Sequence, residues 1–155
     1  MTHITDLSPC DYFPFKGGNR LIAVGWLESG HEYSHSEVAE SLIARLTELL
    51  VNPWQPAVTM GAHDCAFCRF SRGSRQFMYN NTTINMGVNN LFVPSDNCIF
   101  VAPSLIVHYI DAHDYGPPES FRDAVMACPD MRSMAYLRAI RKLAPKEMFA
   151  TSSST

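Results

Sequence analysis

The chain is 155 residues long, 46% hydrophobic and 17% charged, with a formal net charge of −3. That is the size of one ordinary domain, large enough to bury a core without disulfide staples. The acidic balance argues against a dedicated nucleic-acid binder, which would show a basic stripe, and no run approaches the ~18 apolar residues that span a bilayer.

The polar N-terminus does not read as a signal peptide, so a cytoplasmic location is expected. Five cysteines, an odd number, then suggest thiols and metal rather than a disulfide framework. Cys10, Cys98 and Cys128 lack metal-type spacing and read as small buried hydrophobes.

In chain order, Asp11–Gly18 is an aromatic, turn-rich arm expected to pack on the core. Leu21–Leu27 is a continuous apolar run between turn signals, which predicts a central strand buried on both faces. Ser34-His-Ser-Glu37 has the form of a capping box and predicts a helix from there to about Leu50, with Val38, Leu42, Leu46, Leu49 and Leu50 on one face. Pro56–Met60 reads as a strand leading into a cysteine turn, and Arg69–Arg75 as a polar loop.

Short strands are expected at Gln76–Tyr79 and Thr82–Met86. Leu91–Val93 and Cys98–Val101 form two more around the turn Pro94–Asn97. Pro103 suits a helix start, opening a helix over Ser104–His113 that Gly116-Pro-Pro118 ends. A further helix is expected at Glu119–Cys128, broken by Pro129-Asp130, and a last one running to about Leu143 with Met134, Leu137 and Ile140 apolar. Arg132, Arg138, Arg141 and Lys142 gather toward that last C-terminus, where cations complement the helix dipole. Trp26 reads as core, Trp54 as a cap over it, and Tyr109 and Tyr115 as packing residues with exposed hydroxyls. His31 and His35 read as solvated. The expected fold class is α+β: one domain over residues 1–150, with a small, mostly antiparallel sheet, three or four helices and a zinc-knuckle-like turn. A disordered tail is expected over 151–155.

The chemistry is concentrated in two blocks, Gly61-Ala-His63-Asp-Cys65-Ala-Phe-Cys68 and His108-Tyr-Ile-Asp-Ala-His113. Two residues between cysteines let one turn aim both sulfurs at a point, and thiolate plus imidazole suits borderline-soft zinc. Five candidates compete for four positions. Cys65, Cys68 and His108 are the firmest. His113 is preferred to His63 as the fourth, although residues five apart on a regular helix diverge by ~140°. They converge only if the helix tightens or ends near His113.

Other readings compete with a metal. The cysteines could be a redox pair, or all four residues could be ordinary structural side chains. His35-Ser-Glu37 followed by Cys65-x-x-Cys68 also approaches the pattern of zinc nucleobase deaminases. Against that, Asp64 stands where those enzymes have proline, and a polar loop follows Cys68. A hydrolase would need a general base among Asp64, Asp111, Asp114 and Glu119, which more often orient metal histidines.

The chain resembles a family of small, uncharacterised bacterial proteins. The likeness is carried by Tyr12-Phe-Pro14, Ala23-Val-Gly-Trp-Leu27, Gly61-x-His63-x-Cys65-x-x-Cys68, and the block from Ala102 to Phe121 that holds His108, His113, Tyr115, Pro117 and Pro118. The resemblance implies the histidines and cysteines of both blocks as candidate ligands, but no His-x-Glu at His35 and Glu37, and no established activity. The segment beyond Cys128 is an extension without a counterpart in it. The favoured reading is a non-enzymatic module with a structural zinc on Cys65, Cys68, His108 and His113. Its expected partner is a protein, not nucleic acid or a membrane. The alternative is a zinc-dependent hydrolase or deaminase-like enzyme.

Overall fold

Two apolar runs joined by a tight turn make the centre of the molecule. Asn90–Pro94 (β4) and Ile99–Pro103 (β5) pair antiparallel, with Asn90 opposite Pro103 and Pro94 opposite Ile99. Every residue of both strands is buried, as expected for strands covered on two faces. Ser95 closes the turn, its N–H and hydroxyl both donating to the Cys98 carbonyl at 2.8 Å. The computed structural model describes residues 3–13, 15, 20–57, 62–68 and 75–149. The expected strand Pro56–Met60, the loop Arg69–Arg75, part of the aromatic arm, and the tail lie wholly or mostly outside them.

Leu21–Ala23 (β1) lies against β5 in parallel, Leu21 opposite Ile99, giving the sheet order β1-β5-β4. The run Leu21–Leu27 is therefore not one long central strand. It pairs for three residues at the edge of the sheet, and the Gly25 N–H turns to the Asp6 carboxylate at 2.9 Å. The outer edge of β1 is covered by the N-terminal arm: Cys10 N–H donates to Leu21 O, and Ala23 N–H to Ser8 O, both at 2.8 Å. Covering an edge in this way removes a row of unpaired backbone groups.

A separate hairpin pairs Gln76–Tyr79 (β2) with Thr82–Asn85 (β3). Asn80 and Asn81 both have positive φ, 46° and 64°, the signature of a tight I′ turn that matches strand twist. Phe77 and Ile84, directly opposed, are the buried pair.

Among the described residues four helices pack on these strands: α1 (Glu40–Leu50), α2 (Ile106–His113), α3 (Glu119–Ala127) and α4 (Met134–Arg141), followed by a 3-10 turn at Lys146–Phe149. α1 buries Leu42, Leu46, Leu49 and Leu50, but it does not begin in the serine motif. Its N-cap is Ala39, with no side-chain cap. Residues 34–37 are instead used in pairing. His35 bridges Tyr115, Gly116 N–H donates to Ser34 O at 2.8 Å, and Arg122 donates to Ser36 Oγ and to Glu37 O. Gly116 permits that approach, because a Cβ there would sit 1.9 Å from Ser36 Oγ.

Pro103 ends β5 rather than opening α2, which starts at Ile106. Arg132 likewise precedes α4, donating to the Asn52 and Pro53 carbonyls at 3.2 Å; Arg138 and Arg141 sit in the last turn. The core gathers Trp26, Phe92, Tyr109, Tyr115, Phe121 and Tyr136. Trp26 donates its indole N–H to Val101 O at 2.8 Å, and half-buried Trp54 covers Phe92 and Tyr136. The class is α+β, with one parallel pairing in otherwise antiparallel sheets.

Candidate metal centre

The cysteine turn is held from below. His63 N–H donates to Gly87 O at 2.8 Å, and Gly87 N–H donates to the buried Ser104 hydroxyl at 2.8 Å. Gly87 has φ +80°, and a Cβ there would meet His63 O at 2.1 Å. Only glycine fits so close an approach in that conformation. The segment carrying the thiols is thus tied to the start of α2. The turn itself is Ala66-Phe67, and the backbone N–H groups of Phe67 and Cys68 donate toward the Cys65 sulfur.

The imidazoles come from α2. Its last residue is His113, and Asp114 follows in the left-handed conformation, φ 54°. The N–H groups of Asp114 and Tyr115 both reach the Tyr109 carbonyl, a C-terminal cap of the left-handed type. With the helix ending there, two histidines five residues apart turn toward one side. Their rings lie 5.1 Å apart, near perpendicular at 79°.

The four ligating atoms converge. Cys65 Sγ lies 3.3 Å from His113 Nε2, and Cys68 Sγ lies 3.2 Å from His108 Nε2 and 3.5 Å from His113 Nε2. All four fall within 4.8 Å of one another, and each residue is half-buried. A tetrahedral zinc with ordinary bond lengths would separate sulfur from nitrogen by about 3.6 Å, close to the distances found. Among the described residues this is the one group of such side chains close enough to share an ion. His63, His35 and Glu37 are not in it, nor are Asp64, Asp111, Asp114 or Glu119.

Burial pushes the Cys65 thiol up, and the two N–H groups aimed at its sulfur act against that. Burial, reinforced by the neighbouring His113, pushes His108 down. Both shifts favour uncharged groups in the metal-free site, so capture of a cation by the thiolates must release protons.

Three residues outside the candidate ligand set complete the surroundings. Tyr33 donates its hydroxyl to the His113 carbonyl at 2.9 Å. Phe67 lies between the Tyr33, Tyr109 and His113 rings, with centroids 5.3 to 6.0 Å away. Gly87 sets the position of His63. A tyrosine in the otherwise polar stretch 28–37 was the one sequence signal available for Tyr33. The tyrosine hydroxyls near the site are not exposed, contrary to expectation. Tyr109 and Tyr115 are fully buried; Tyr115 donates to Asp6 at 2.7 Å, and the Tyr109 hydroxyl has no hydrogen-bond partner among the described residues. Asp64 pairs with Arg75 at 3.4 Å on the exposed side. His35 is exposed as expected, stacked on Tyr33.

A family profile described as a domain of unknown function, DUF7919, matches residues 2–126. The chain belongs to that family. The DUF7919 match takes in the cysteine turn and all of α2, and stops within the last turn of α3. α4 and the 3-10 turn lie beyond it, as the extension read from the sequence implies. No curated protein and no solved structure matches the chain. Among the described residues no helix is long and apolar enough to cross a membrane.

Proposed function

We propose that this DUF7919 protein is a non-enzymatic module whose zinc ion, held by Cys65, Cys68, His108 and His113, fastens the cysteine turn to α2, and that it acts by binding another protein. The observation carrying this is the convergence of two sulfurs and two imidazole nitrogens within 4.8 Å from segments 40 residues apart. Two thiolates and two imidazoles suit a borderline-soft, tetrahedral ion, which is the reason for naming zinc. Four protein donors fill a tetrahedron and leave no position for a reacting water, the mark of a structural site. Action through a protein partner is supported by the acidic net charge of −3. It is supported also by methionines left on the surface: Met78, Met126 and Met134 are each more than half exposed, and such flexible apolar side chains suit protein contacts.

Elemental analysis of the purified protein, followed by chelation, tests the reading. One zinc per chain is expected, lost in Cys68→Ser and His108→Ala, with a fall in melting temperature on chelation because metal-binding energy is folding energy. Unchanged metal content in both variants would end it. An open catalytic site would instead show full metal with three of the four residues ligating.

A further inference from the structure

The five cysteines differ in what can reach them. Cys10 and Cys128 are 3% and 4% exposed, and burial pushes both thiols up to about 11; they stay protonated and inert. Cys98 is half-buried in the β4–β5 turn, its sulfur 3.1 Å from the Ser95 hydroxyl. Cys65 and Cys68 differ from these in being paired: half-buried like Cys98, they stand on one turn with two residues between them, their sulfurs within 4.8 Å of each other.

The attachment of that turn is also distinctive. α2 is built into the core through Ile106, Val107, Tyr109 and Ile110. Residues 62–68 contain no helix or strand. Among the described residues, the ties found for them apart from the sulfurs are the His63–Gly87 hydrogen bond, the exposed Asp64–Arg75 pair and the packing of Phe67. Loss of the ion would therefore loosen the sulfur-bearing end of this segment from the α2 histidines, while its tie at His63 and the helix in the core persist.

We propose that the Cys65–Cys68 pair is an oxidant-operated release for the metal: hydrogen peroxide converts the two thiolates to a disulfide, the ion leaves, and the turn detaches from α2, uncovering Phe67 and Tyr33. This rests on the metal reading given above. One thiolate sulfur attacks the peroxide O–O bond, giving a sulfenic acid and hydroxide, which takes a solvent proton and leaves as water. The second thiolate attacks the sulfenic sulfur. The S–S bond forms, and the displaced hydroxide takes a second proton as another water. Two electrons pass from the sulfurs to the peroxide, and a disulfide is too poor a donor to keep the ion with two imidazoles alone. A thiol reductant reverses the step.

The test begins with the metal-loaded protein, its zinc content measured before any oxidant is added. A protein that binds no zinc on titration ends the metal reading and this one with it at that stage. Loaded protein is then treated with stoichiometric peroxide while a chromophoric chelator reports free zinc. Peptide mapping locates disulfides, and far-ultraviolet circular dichroism follows the fold. The expected result is release of the bound zinc with a Cys65–Cys68 disulfide, an unchanged helical signal, increased binding of an apolar dye, and recovery with dithiothreitol and zinc. Cys98→Ser should behave like the natural chain. Zinc retained under peroxide, release without a Cys65–Cys68 disulfide, or oxidation falling on Cys98 would each overturn the proposal while leaving the metal site intact.

Discussion

The Tyr109 hydroxyl is buried with no partner among the described residues, while that of Tyr115, six residues on, reaches Asp6 at 2.7 Å. A buried polar group left unpaired costs about 1–3 kcal/mol, whereas a made hydrogen bond contributes about 1 kcal/mol. Tyr109→Phe should therefore raise the stability of the metal-free protein by about 1 kcal/mol, or about 2–4 °C in Tm for a chain of this size. Tyr115→Phe should lower it, because Asp6 Oδ2 loses its phenolic donor while Oδ1 keeps the Gly25 N–H. Thermal melts of the two variants in chelator check both signs. The sequence marked these tyrosines as packing residues, and their rings do pack. The fate of each hydroxyl depends on what the fold brings from elsewhere, here a carboxylate near the N-terminus, and no local pattern encodes that. The gathering of Cys65, Cys68, His108 and His113 was legible because a Cys-x-x-Cys turn and a histidine pair at a helix end have short, recognisable spacings. Gly87 was not, since its role is defined by a carbonyl 24 positions away.

At the scale of elements, α1 shows how a local signal loses to tertiary pairing. Ser34 and Glu37 have the spacing of a capping box, but the strand-like contact of residues 34–37 with Tyr115, Gly116 and Arg122 uses that segment, and the helix begins at Glu40. Ala39 occupies the N-cap in an extended conformation, φ −64° and ψ 142°, with no side-chain acceptor. Ala39→Ser should add such an acceptor and stabilise the protein by about 1 kcal/mol. Glu37→Ala should leave α1 unchanged. Chemical denaturation of the two variants separates the readings: a loss of helix stability in Glu37→Ala would restore the capping box. β4, β5 and the hairpin were legible because their apolar runs and turn residues agree. The parallel placement of β1 beside β5 was not, because its partner lies 78 positions along the chain.

Over the whole molecule, the family boundary and the folding boundary do not coincide. The DUF7919 match ends at residue 126, yet Tyr136 and Ile140 of α4 are fully buried. The Tyr136 hydroxyl donates to Phe92 O in β4 at 2.7 Å, and Phe149 stacks on Trp54. A chain truncated after Ala127 should lose more than about 3 kcal/mol, the scale of deleting one large buried aromatic. Soluble yield and urea midpoint measure it, and an undiminished midpoint would make α4 a mere appendage.

The buried thiols and phenols set the alkaline limit. Cys10 and Cys128 rise from 9.0 to about 11 in the fold through burial, and burial pushes Tyr109, Tyr115 and Tyr136 well above 10.0. These groups stay protonated in the fold and ionise first in the unfolded chain. Their contribution is whole below pH 9.0, falls as pH rises toward 11, and for the tyrosines goes on falling above it. Each cysteine accounts for about 2–3 kcal/mol at 1.36 kcal/mol per unit. Urea midpoints at pH 8 and 10.5 should differ accordingly, and the Cys10→Ala, Cys128→Ala double variant should show a smaller drop.

The pairing of β1 with β5 also bears on the order of events during synthesis. Leu21 leaves the ribosome long before Ile99, its partner, has been made, and the arm that covers β1 waits with it. Contacts so distant along the chain assemble slowly. Residues 21–98 thus travel without the central strand, and the sheet closes only after Ile99–Pro103 has emerged.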